Sequence, residues 1–127
     1  MRVIRASEAA DAGAHRSQTF EGEGVIRQHH VWEQVASDKV HVVTFVRGGR
    51  TFWHDHEFGQ LLVVLSGQGL VAIEGTEPVP ISVGDLVIAD PGERHWHGAT
   101  PDGELTHLAV SRGTTSWHGP VSTCEGC

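Results

Sequence analysis

The stretch HDHEFGQLLVV, His54 to Val64, sets two histidines around one aspartate, adds a glutamine four residues on and runs into an apolar segment. Alternate residues of a strand point to the same side, so His54 and His56 project together, about 6 to 7 Å apart at the backbone. That spacing lets two imidazoles meet one metal ion. Gln60 follows the short EFG connection and opens the next apolar run, a position that returns it to the same cavity.

The segments on either side read as strands. KVHVVTFV, Lys39 to Val46, is rich in β-branched residues, is bounded by Asp38 and the Gly48-Gly49 pair, and carries His41, Val43 and Phe45 on one face. Further short segments run from Gln60 to Leu65, Leu70 to Glu74, Val79 to Ser82, Asp85 to Asp90 and Leu105 to Ser111. Between them stand SGQG, EGTEP, VGD, DPGE and PDGE, each a turn signal. Helical periodicity is nearly absent after residue 35, so the expected fold is all-β, a sandwich or barrel. Residues 1–35 are expected to form an N-terminal arm with edge strands, RVIRASEAA at its start having the makings of a short pairing strand. Residues 36–112 form the barrel, and 113–127 an irregular tail with Trp117 as an anchor against it.

A chain of 127 residues holds one domain with a single core. Acids outnumber bases by 16 to 9 and no basic cluster stands out, so a nucleic-acid partner is not expected. No apolar run approaches a membrane span, and the N-terminus lacks the apolar stretch of a secretion signal. The expectation is a cytoplasmic protein that acts on a small molecule. Cys124 and Cys127 both lie in the last four residues, too far from any core to staple it.

His95 lies after PGER on a later hairpin and reaches the site only by folding. These positions resemble the two signature motifs of the cupin family. Gly48, His54, His56, Gln60 and Gly67 fill the slots of the first motif without a gap, and Gly84, Gly92 and His95 fill slots of the second. Asp90 stands where the family has Pro, Ala99 where it has Asn and Gln60 where it has Glu, although Pro91 still stiffens the turn. The resemblance covers roughly residues 39 to 111. It implies a cupin double-stranded β-helix, or jelly-roll barrel, with His54, His56, Gln60 and His95 on a divalent metal.

Glutamine offers a carbonyl oxygen and no charge, so this donor set is wholly neutral. A divalent ion held by it keeps its full charge, which strengthens Lewis acidity toward anions and disfavours oxidation to the trivalent state. Mixed nitrogen and oxygen donors suit Mn, Fe, Ni and Co, with Zn a competitor.

His107 shares one strand face with Leu105 and Ala109, and its ordinary pKa near neutrality suits proton transfer. His97, two residues beyond His95, shares the inward face of that ligand, and His41 is a third candidate acid/base group. WHDHEFGQ, PGERHWHGA and THLAV are similar to the small bacterial cupins that include the manganese-dependent hydroxynitrile lyases. That likeness implies a manganese site and His107 as base. It gives the leading expectation, a metal-dependent lyase of hydroxynitrile lyase type. Rivals are an Fe-dependent dioxygenase, a metal-dependent cyclase, isomerase or decarboxylase of a natural-product intermediate, and a non-catalytic ligand-binding cupin. A homodimer paired through an exposed sheet edge is expected.

Overall fold

The structure, a computed structural model, describes residues 1–5, 14–15, 19–22, 26–35 and 38–121. Among these the regular elements are twelve strands. The first six are β1 (Ala14–His15), β2 (Phe20–Glu21), β3 (Ile26–Val35), β4 (Asp38–Val46), β5 (Arg50–Thr51) and β6 (Trp53–His56). The rest are β7 (Gln60–Ile73), β8 (Val79–Ser82), β9 (Leu86–Ala89), β10 (His95–Ala99), β11 (Glu104–Ser111) and β12 (Thr115–Gly119). All pairings are antiparallel. One sheet runs β1-β3-β4-β11-β7-β9; the other sets β7 between β8 and β10 and continues through β5 and β6 to β2 and β12. The chain therefore forms the expected all-β jelly roll in a single domain.

Two segments differ from the sequence reading. SGQG does not interrupt the chain: β7 runs unbroken for 14 residues and changes sheets within it, pairing β11 up to Gly67 and β10 from Gly69. Glycines permit this corner because the neighbouring backbone comes too close for a side chain. A Cβ on Gly67 would collide with the carbonyl of Glu104, and one on Gly69 with that of Gly98. The second difference is β12, which forms inside the segment expected to be irregular and pairs with β6. The Trp117 ring on β12 lies tilted against that of His54, with centroids 4.7 Å apart. Of the opening RVIRASEAA, residues 2–5 carry no regular structure and the remainder lies outside the described residues, as do Cys124 and Cys127.

Strand alternation divides inside from outside. On β11 Leu105, His107, Ala109 and Ser111 are buried while their neighbours are only partly so. Opposite them on β4 stand Phe45, Val43, His41 and Lys39 in the same order. Phe45 and Leu105 are fully buried and pack with Val43, Val64, Ile81 and Ala99 near the β7 corner, closing that end with apolar contacts. Toward the other end the paired rows become polar.

Gly67 and Gly75 both hold left-handed backbone, at φ 78° and 86°, but an added Cβ at Gly75 meets open space. Gly75→Ala is therefore expected to lose about 1–2 kcal/mol, the backbone strain alone. Gly67→Ala adds a backbone clash and should lower the denaturant midpoint distinctly further; equal losses in urea unfolding would rule out the tight corner.

Candidate metal centre

Strands from both sheets deliver the donors. His54 and His56 come from β6, Gln60 from the start of β7, and His95 and His97 from β10, all buried. His95 sits directly opposite His54 in the β10–β6 pairing, so folding brings the late histidine to the early pair. Ring centroids of His54 lie 4.9 Å from His56, 4.3 Å from His95 and 5.2 Å from His97.

Hydrogen bonds to the far nitrogens aim these rings. His54 Nδ1 donates to the carbonyl of Phe52 at 2.8 Å and His95 Nδ1 to that of Glu93 at 2.9 Å. With the proton fixed on Nδ1, each neutral ring presents a lone pair at Nε2. His56 Nδ1 is held by Thr115 Oγ1 at 3.0 Å, and its Nε2 is buried without a hydrogen-bond partner. Gln60 Nε2 donates to Ser111 Oγ at 2.9 Å, which turns the amide oxygen inward, 2.9 Å from His95 Nε2. Two acceptors thus face each other, an arrangement that a cation between them reconciles. Donors about 2.1 Å from one ion and at right angles to each other stand about 3 Å apart, so the residues fit a divalent metal.

His97 joins the cluster. Donor nitrogens of His54, His95 and His97 lie within 4.8 Å of one another, and His97 Nε2 is buried and unpartnered. Its Nδ1 is 3.0 Å from His107 Nε2, while His107 Nδ1 has no partner. The Phe45 ring packs against both, 5.8 Å from His97 and 5.4 Å from His107.

Burial decides protonation here. Desolvation is the leading cause that pushes His56 and His107 down to about 4, holds His95 below the ordinary imidazole range and sets His54 and His97 well below it. Neighbouring imidazoles add to the effect on His54, His56 and His97. The rings are neutral at physiological pH, the form that binds metal.

His54, His56, Gln60 and His97 of this cluster form one wall of a cavity of about 250 Å³, which His41, His107, Ala109 and Ser111 also line; His95 stands behind them against His54 and Gln60. All seven residues expected at the site, His41, His54, His56, Gln60, His95, His97 and His107, are thus gathered in one region. Sequence reasoning missed Ser111 and Thr115. Ser111 was within reach, since it continues the alternation of Leu105, His107 and Ala109. Thr115 carried no such signal, because it meets His56 only through the β12–β6 pairing.

Residues 41–111 match the cupin domain family, Cupin_2. The chain belongs to the cupin family. Over 68 residues it is 50% identical to an (R)-mandelonitrile lyase of Granulicella tundricola, a match covering 54% of this chain and about half (52%) of that protein. A cupin-like protein of Thermotoga maritima is 32% identical, with TM-score 0.79 and coverage of 91% of this cupin and 96% of that chain. The DMSP lyase DddQ of Ruegeria pomeroyi shares the fold at 19% identity, with TM-score 0.68 over 88% of this chain and 64% of that one.

Because Ser111 orients the Gln60 amide, Ser111→Ala is expected to weaken divalent-metal binding by roughly 10- to 100-fold in a chelator competition. His54→Ala should leave the purified protein without stoichiometric metal by elemental analysis; full metal in that variant would remove His54 from the donor set.

The lowered histidine pKa values also set a pH dependence. The unfolded chain takes up protons as pH falls below about 6.5, whereas the folded rings resist until about 4. Stability of the metal-free protein should therefore drop across that window, by up to roughly 1.4 kcal/mol per pH unit for each such ring. His107→Asn should flatten the slope of Tm against pH; an unchanged slope would mean that His107 titrates normally.

Proposed function

We propose that this cupin is a metal-dependent lyase of hydroxynitrile lyase type, acting on a small organic molecule, with manganese the first candidate metal. The observation that carries the proposal is a donor set without a carboxylate beside a buried, neutral, hydrogen-bonded pair of imidazoles. Likeness to the mandelonitrile lyase supports the reaction type. His54, His56, Gln60 and His95 would hold the metal. A divalent cation on these neutral donors supplies Lewis acidity toward an oxygen anion.

The His97–His107 pair handles the proton. When His107 Nε2 carries hydrogen and donates it to His97 Nδ1, His107 Nδ1 keeps a lone pair. That nitrogen accepts the proton of the substrate hydroxyl as the bond to the nitrile carbon breaks. The bonding pair leaves with cyanide, the carbonyl forms, and His107 returns the proton to cyanide. The apolar floor of Phe45 and Leu105 keeps bulk water from the base. We further propose a cytoplasmic homodimer; apolar side chains exposed on β9, Leu86 at 65% and Ile88 at 70%, support an assembly that covers them.

Manganese-loaded protein is expected to release cyanide from (R)-mandelonitrile above the uncatalysed rate, and His107→Asn to lower kcat by about 10² or more while keeping its metal. Metal-loaded wild type without cyanide release overturns the lyase, and an undiminished His107→Asn rate removes His107 as the base.

A further inference from the structure

The cavity has a charge that the donor cluster does not use. Lys39, His41, Val43 and Phe45 all line it, a single inward row on β4 that passes from the buried apolar floor to an exposed lysine. Lys39 stands opposite Ser111, and Ser111 opposite Gln60, so the three residues occupy one rung across β4, β11 and β7. Neighbouring strands are about 4.8 Å apart, which sets the backbone of Lys39 about 10 Å from that of Gln60. The four-carbon lysine stem spans much of this gap.

The electrostatic setting is one-sided. The chain carries a net charge of −7, yet among the described residues neither Asp nor Glu lines the cavity. The adjacent acid, Asp38, is engaged elsewhere: it accepts from the Gly113 N–H at 2.8 Å and lies 3.6 Å from Arg112 Nε. None of the salt bridges among the described residues involves Lys39. A cation at the rim of a narrow cavity with uncharged walls concentrates potential there and draws in anions.

We propose that Lys39 selects a substrate bearing a carboxylate, held at the cavity mouth while a hydroxyl or carbonyl oxygen of the same molecule faces the Gln60 and histidine donors. The inference rests on the lyase reading of this site and names its substrate class, a small cyanohydrin that also bears a carboxylate and yields cyanide and an oxo acid. One ammonium matches one carboxylate charge, and the cavity volume limits the molecule to a few carbons beyond its two polar ends. Mandelonitrile offers the oxygen and lacks the carboxylate.

Titration calorimetry of manganese-loaded protein with 3-hydroxybutanoate and with its methyl ester tests this. The acid is expected to bind roughly tenfold or more tightly than the ester. Lys39→Ala and Lys39→Glu should abolish that preference and Lys39→Arg should keep it, all with wild-type metal content. Equal binding of acid and ester by wild type, or a preference that survives Lys39→Ala, overturns the inference and leaves the metal-dependent lyase standing. Should the protein take up none of manganese, iron, nickel, cobalt or zinc, the lyase falls instead, and the same acid-to-ester comparison on metal-free wild type and Lys39→Ala still decides for or against Lys39.

Discussion

The site depends on the hydrogen bonds made at the far side of each donor. A buried imidazole has two nitrogens, and only the one left without hydrogen can coordinate a cation. Backbone carbonyls of Phe52 and Glu93 settle that choice for His54 and His95, and Ser111 settles the orientation of the Gln60 amide. Ser111 lies on β11, while Phe52 and Glu93 sit just before β6 and β10, the strands whose histidines they orient. Convergence of the donors is thus largely a property of the sheet register.

Desolvation then gives the convergent set its character. Burial is the largest cause at each of His54, His56, His95, His97 and His107, and neighbouring imidazoles add to it at His54, His56 and His97. Asp55 and Glu93 only partly offset it at His56 and His95, so the rings are neutral together. The His97–His107 pair adds a choice between tautomers. With hydrogen on His97 Nδ1, His97 Nε2 is a further donor to the cluster; with hydrogen on His107 Nε2, His107 Nδ1 becomes the free base. One proton position therefore trades a ligand for a base.

Much of this was legible in the sequence because strand periodicity is short-range information. His-x-His in two places, the LTHLAV alternation and the glycine punctuation each follow from residues within one element. What stayed hidden was set by pairing between distant elements. SGQG has the composition of a turn, and only the approach of Glu104 and Gly98 shows why glycines there serve a continuous bent strand. The segment TTSWHG has no apolar alternation to mark β12, yet it supplies Thr115 to His56. Lys39 reads as a strand boundary in the sequence and becomes the rim of the cavity only when β4, β11 and β7 lie side by side.

The bent β7 has a mechanical consequence. It is the strand common to both sheets, and its corner at Gly67–Gly69 lies at the end sealed by Phe45, Leu105 and Ala99. The sheets are two jaws sharing a spine, and they are tied again at the rim beside Gln60, where the Gly59 N–H donates to the His56 carbonyl and the Phe58 N–H to that of Arg112. Gln60 belongs to one jaw and His54, His56 and His95 to the other. A ligand held by donors from both adds a further tie between the sheets, so binding at the centre stabilises the fold as well as positioning what is bound.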